Sequence, residues 1–83
     1  MTLYEKLVDS CKAIINSEDK EQIVNTLNEM KHTAELNQAF IDARIIDCLI
    51  PMAEALPEGL EEFRKRILAT ANYAWLGDLG LSK

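Results

Sequence analysis

One helical pattern occurs twice in this chain, and that constrains its fold more than any other feature. Leu7, Val8, Cys11, Ala13 and Ile14 correspond to Leu49, Ile50, Ala53, Ala55 and Leu56 at a constant offset of 42 residues. Farther on the offset becomes 44, pairing Ile23, Leu27, Asn28 and Met30 with Ile67, Ala71, Asn72 and Ala74. The slip falls in a turn, where insertions are tolerated. Helical units repeating every ~40–47 residues build arrays that offer a surface to another macromolecule. A chain of 83 residues holds fewer than two such units and, as one small domain, buries only about 60% of its unfolded surface. Its apolar ends are therefore expected to be covered by self-association or by a partner.

The local signals are helical throughout. Thr2-Leu3-Tyr4-Glu5 has capping-box spacing, in which threonine oxygen and glutamate carboxylate each satisfy an unpaired backbone N–H. Leu3, Leu7, Val8, Cys11, Ile14 and Ile15 then draw one apolar stripe down a first helix. Ser17 suits the N-cap of a second helix, with Glu18, Asp19 and Glu21 at its positive end. Ile23, Leu27 and Met30 form the buried stripe of this helix, Val24 lies at its margin, and the pattern fades near His32-Thr33.

A third helical stretch from Ala34 to Ala43 carries Leu36, Phe40 and Ile41 on one side, with a bend near Arg44. Pro51 lacks an N–H and crowds the carbonyl of Asp47, so a break or kink is expected between Arg44 and Pro51, with Asp47 available to cap a new helix. Pro57-Glu58-Gly59 signals a turn. The last helix is expected from Glu58 or Leu60 to Leu76, with Leu60, Phe63, Ile67, Ala71 and Ala74 on its inner face, Leu68 and Trp75 widening it, and Gly77 as C-cap. The apolar tail Leu79-Gly80-Leu81 can dock back or fray. No apolar alternation is sustained over a strand length. The expectation is a single all-α domain over residues 1–83, with four to five helices packed as helical hairpins or as a compact bundle: a first hairpin over 1–33, then a second helical unit and short tail over 34–83.

The segment Asn37-Gln38-Ala39-Phe40-Ile41-Asp42-Ala43-Arg44-Ile45-Ile46-Asp47-Cys48-Leu49-Ile50 resembles the passage from a short first helix into the second helix of an armadillo repeat. Ile67-Leu68-Ala69-Thr70-Ala71-Asn72-Tyr73-Ala74 is similar to that family's third helix, an asparagine in an alanine- and leucine-rich frame. Ile23 to Met30 resembles the same helix of a preceding, truncated repeat. The resemblance implies an armadillo/HEAT-like array of about one and a half to two repeats. It also implies third helices lining a concave groove, where Asn28 and Asn72 would hydrogen-bond the backbone of an extended peptide. Val24 and Leu68 stand where the family often has tryptophan, Arg44 where it usually has glycine, and Pro51 is foreign to its second helix.

Composition narrows the chemistry. Fourteen acidic against nine basic residues give a net charge of −5, which opposes attraction to phosphate backbones and anionic lipid, so neither direct nucleic-acid nor membrane binding is expected. No run approaches the ~18–20 apolar residues of a membrane span. Cys11 and Cys48 sit among apolar residues and read as buried thiols in a reducing compartment, and the cytoplasm is the expected location. Glu29-x-x-His32 has the spacing of di-iron carboxylate ligands, but it occurs once, beside an expected helix end, and His32 is the only histidine. Solvated polar residues are expected there, and no metal or cofactor is implied.

Without a nucleophile elbow or a glycine-rich phosphate loop, the chain reads as a non-enzyme. Arg64-Lys65-Arg66 follows Glu61-Glu62 as a solvated face of paired charges. Trp75 extends the inner face of the last helix and Tyr73 lies off it. Both residue types are enriched at interface hot spots, so Tyr73 and Trp75 join Asn28 and Asn72 as partner-binding candidates. The expected function is protein–protein interaction, either homo-oligomerisation or binding of a protein partner through a helical surface. The alternative is a small acidic inhibitor of the immunity, antitoxin or phage counter-defence type, blocking a basic enzyme surface through the Glu18-Asp19-Glu21 cluster.

Overall fold

The computed structural model describes residues 2–79, and its first helix begins as the capping box dictates. The Glu5 N–H donates to Thr2 Oγ1 at 3.2 Å and the Thr2 N–H to Glu5 Oε1 at 2.9 Å, launching α1 (Leu3–Ile14). Leu7, Val8, Cys11 and Ile14 form its buried stripe.

α2 (Lys20–Leu36) is capped by Asp19, whose Oδ1 accepts from the Gln22 N–H at 3.2 Å. Ser17, the expected cap, instead braces the turn: its Oγ accepts from the Asp19 N–H and donates to Gln22 Oε1. The helix outlasts its expected fade at His32-Thr33 because Ala34, fully buried, extends the stripe of Ile23, Leu27 and Met30. It ends in a Schellman motif, where the Gln38 N–H donates to Glu35 O (3.0 Å) and the Ala39 N–H to Ala34 O (2.8 Å). Gln38 takes the left-handed conformation there, at φ 60.

α3 (Phe40–Glu54) corrects the sequence reading in three ways. Residues 34–36 belong to α2. Asp47 lies inside α3 and caps nothing. The helix continues through Arg44 and Pro51 without a break. An interior proline costs about 3 kcal/mol, but Ile46, Leu49 and Ala53 on either side of Pro51 are buried, and burial of each large apolar side chain returns about 1.5–3 kcal/mol. Pro51 and Asp47 both lie on the exposed side of the helix, so the missing hydrogen bond falls away from the buried stripe. Leu36, Phe40 and Ile41, expected on one side of a single helix, are divided between α2 and α3 and all exposed.

Residues 55–59, with a cis Leu56–Pro57 bond, lead to Gly59 at φ 71, the N-cap of α4 (Leu60–Tyr73). Phe63, Ile67 and Ala71 are its buried stripe. Ala74, expected on the same face, is exposed, because α4 ends three residues earlier than its apolar pattern. The chain then turns through Leu76, at φ 55, with the Trp75 N–H donating to Thr70 O and the Gly77 N–H to Ala71 O. Gly77 therefore serves as something other than a left-handed cap. A Cβ on it would land on Cγ1 and Cγ2 of Val8 and 2.9 Å from Val8 Cβ, so the glycine lets the chain end lie against α1. Leu79 is buried beyond it; Gly80 and Leu81, the rest of the apolar tail, lie outside the described residues.

Each helix touches its neighbours in the order α1–α2–α3–α4, and α4 returns to α1. Residues 6–10 of α1 share a cleft with 29–33 of α2, Lys31 of α2 pairs with Asp47 of α3 at 3.0 Å, and Asp42 of α3 meets Trp75 beyond α4. The helices thus run up, down, up and down around one core. Among the described residues there is no strand, and the all-α architecture is that of a four-helix bundle. The positions paired by the sequence offset largely share their burial: Leu7 and Leu49, Cys11 and Ala53, Ile14 and Leu56, Ile23 and Ile67, and Leu27 and Ala71 are buried, while Asn28 and Asn72 are exposed.

Candidate interaction surface

The up-and-down course brings the start of α1, the end of α2, the start of α3 and the end of α4 to the same end of the bundle. Every large apolar side chain that stands exposed among the described residues belongs to this end: Tyr4 (48%), Leu36 (71%), Phe40 (61%), Ile41 (77%), Tyr73 (84%) and Leu76 (86%). Single exposed apolar residues need no explanation. Six gathered at one end of a bundle differ from apolar residues scattered singly over a surface, and such gatherings mark interaction sites.

Trp75 fixes this end. It is 3% exposed, and its Nε1–H donates to Asp42 Oδ1 at 3.0 Å. This satisfies the indole N–H inside the core and ties the end of α4 to the start of α3. Trp75 thus fills the inner-face role read from its spacing and is covered within the chain. Tyr73, two residues earlier, is the exposed member of the pair. Asn28 and Asn72 are both exposed, but they lie on α2 and α4, whose backbones do not approach each other closely. The Asn28 Nδ2–H bonds back to Val24 O at 3.0 Å. Of the four residues singled out from the sequence, Tyr73 alone is one of the six exposed apolar side chains, with the exposed Asn72 beside it.

The remaining chemistry-bearing groups are dispersed. Burial pushes the Cys11 thiol up to about 12, which leaves it protonated and unreactive. Cys48, expected in the core, is exposed on α3, since the core stripe passes through Ile46 and Leu49 on its other side. Glu29 and His32 are both exposed on α2, and among the described residues no three of His, Cys, Asp and Glu cluster as a metal site. In the basic triplet, Arg64 is half-buried with its Nε unpartnered, while Lys65 and Arg66 are exposed. At the opposite end of the bundle, Asp19, Glu21 and Glu54 line one shallow cleft beside Lys20 and Val24. The Asp47 carboxylate holds the Lys31 ammonium above its ordinary value by hydrogen bond and charge.

Sequence reasoning missed Tyr4, Leu36, Phe40, Ile41 and Leu76 as surface residues. Spacing alone did not mark them: the adjacent pairs Leu7-Val8 and Ile14-Ile15 are both buried in this fold, so the Phe40-Ile41 pair carries no distinguishing local signal. No helix among the described residues is long and apolar enough to cross a membrane. Fold and surface together define a class, a small four-helix bundle with one apolar end. Compared with protein-family models, curated proteins and solved structures, the chain matches none at a significant level.

Proposed function

We propose that this chain is a non-enzymatic protein-interaction module that binds a second copy or a protein partner through a helical surface. The observation that carries the reading is the gathering of six exposed large apolar side chains at one end of the bundle. The armadillo/HEAT-like likeness belongs to the same proposal and is supported by the shared burial of the offset pairs. The cytoplasm is the setting we read for a chain with two free thiols. The test is association, by light scattering coupled to size exclusion and by partner titration, for wild type, Leu36→Ser, Tyr73→Ser and Asn72→Ala. Loss of association in the first two variants at unchanged helicity supports the reading. Association that survives both removes the apolar end from it, and an unaffected Asn72→Ala removes the peptide groove.

A second reading, an acidic inhibitor of a basic enzyme surface, is favoured by the cleft that joins Glu54 to Asp19 and Glu21. Binding by that face falls steeply with salt. Reversing the Glu18, Asp19 and Glu21 charges would abolish it, while Tyr73→Ser would leave it intact.

A further inference from the structure

The apolar end is continuous with a cleft of about 440 Å³ between α1 and the chain end that follows α4, within the ~300–1,000 Å³ typical of ligand clefts. Tyr4 and Leu76, two of the six exposed apolar side chains, line this cleft together with Val8 and Trp75. Trp75 also links it to the start of α3, because its indole N–H donates to Asp42, the neighbour of Ile41. Glu5, Asp9 and Asp78 place three carboxylates along the cleft against one ammonium, Lys12. Glu35 and Asp42 continue the carboxylates around the rim. Among the described residues, the one cation in the terminal helical turns at this end is Lys6, which lines a separate cleft beside Glu29, and Arg44 stands a turn deeper on α3. The cap bond of Glu5 and the indole bond of Asp42 come from neutral donors, so both carboxylates keep their charge. The surface is thus apolar at its centre and acidic at its border.

Resting on the interaction reading, we propose that this end receives an amphipathic segment of a partner protein, apolar on one face and bordered by lysine or arginine. The apolar face covers Leu36, Phe40, Ile41 and Tyr73. A basic side chain enters the cleft, with its methylenes along Tyr4 and Leu76 and its charge at Glu5 and Asp9, which lie one helical turn apart. Charge complementarity selects this occupant over the others that an apolar surface can meet. A second copy docked end to end brings the same carboxylates against themselves, with a net charge of −5 on each side. Anionic lipid and nucleic acid meet the same repulsion. A segment without charge covers the centre but leaves the bordering carboxylates desolvated and unpaired, which is costly. Lysine and arginine supply both the apolar stem and the counter-charge.

The test uses the intact chain and two synthetic amphipathic peptides of about 18 residues, or five helical turns. Both carry leucine at steps of three and four; the remaining positions are lysine in one and glutamate in the other. Binding is read by fluorescence anisotropy of labelled peptide. The lysine peptide is expected to bind, and to bind more weakly as salt rises. Leu36→Ser and Tyr73→Ser each weaken it about tenfold, and Asp9→Lys and Glu35→Lys each weaken it severalfold, all with unchanged far-ultraviolet circular dichroism. The control is the double variant Glu18→Lys, Glu21→Lys, which reverses two charges at the opposite end of the bundle and leaves binding within about twofold. An equal loss in that control overturns the proposal, since the peptide is then drawn to an acidic chain at large. Equal binding of the glutamate peptide overturns the basic partner and spares the interaction reading. Failure of both peptides to bind overturns the proposal, and light scattering then tells the two readings apart. A dimer lost in Leu36→Ser and Tyr73→Ser makes a second copy the occupant and spares the interaction reading, whereas no association sensitive to Leu36 or Tyr73 refutes both.

Discussion

Replacing Gly77 by alanine tests the closure of the bundle directly. The new methyl falls on both Cγ atoms of Val8 and 2.9 Å from its Cβ. Val8 is 8% exposed and β-branched on a helix, where one rotamer dominates, so it cannot swing away. Two responses compete. Letting the chain end peel off α1 exposes Trp75 and Leu79, now 3% and 7% exposed, at about 1.5–3 kcal/mol each, and breaks the Trp75–Asp42 hydrogen bond. Keeping the chain end in place and absorbing the overlap costs about 1–3 kcal/mol. The second is cheaper, so Gly77→Ala is expected to destabilise by about 1–3 kcal/mol and to lower Tm by roughly 5–20 °C for a domain of this size, with Trp75 still buried. Urea unfolding followed by circular dichroism gives the magnitude, and fluorescence of Trp75, the only tryptophan, reports whether the chain end stays docked. Val8→Ala alone removes two methyls at about 1.5–2 kcal/mol. In that background the two Cγ overlaps are gone and only the 2.9 Å approach to the Cβ at position 8 remains, so Gly77→Ala should cost less than in wild type, giving a coupling energy of about 1–2 kcal/mol. A Gly77→Ala change within ±0.5 kcal/mol of wild type, or additivity with Val8→Ala, would refute the close approach of the chain end to α1.

Three further outcomes are expected. Gln38→Gly relieves a left-handed residue at φ 60 and should stabilise by about 0.5–1 kcal/mol in urea unfolding, whereas no gain would argue against the Schellman turn. Native protein should react with a thiol reagent at Cys48 only, and denatured protein at both cysteines, because burial keeps the Cys11 thiol protonated up to about 12; two rapid equivalents in the native state would contradict the packing of α1. The Thr2 backbone hydrogen bond, then the Thr2 side chain, lowers the Glu5 carboxyl below its ordinary 4.5. A lowered folded value means that the stabilisation is complete above pH 4.5 and is lost as pH falls through the folded value. Tm of Glu5→Gln should therefore vary less with acid than wild type over that window, and parallel profiles would exclude the capping box as the source.

Much of the fold was legible because it rests on local chemistry. Thr2 and Glu5 announce the start of α1 by their spacing, and the apolar steps through Leu7, Cys11 and Ile14, Ile23, Leu27 and Met30, and Phe63, Ile67 and Ala71 fix three buried faces by helical periodicity alone. Tyr73 could be separated from Trp75 by the same arithmetic. What failed were inferences in which a local preference met a tertiary term of similar size. Pro51 is a helix breaker in isolation, but packing of Ile46, Leu49 and Ala53 outweighs it and carries α3 through. Gln38 occupies a position that local preference assigns to glycine, and Gly77, free to act as a cap, is required for a contact with a helix about seventy residues earlier.

The interaction surface shows the same division. Sequence determined that the chain has helices with apolar faces, an acidic balance and no recognisable catalytic frame. It could not say that Tyr4, Leu36, Phe40, Ile41, Tyr73 and Leu76 meet at one end, because they come from all four helices and only the up-and-down course of the bundle collects them. Periodicity specifies which side of a helix is apolar, a property of neighbours three and four residues apart. Which apolar side remains uncovered depends on how the four helices share one core, and that choice is made by their packing.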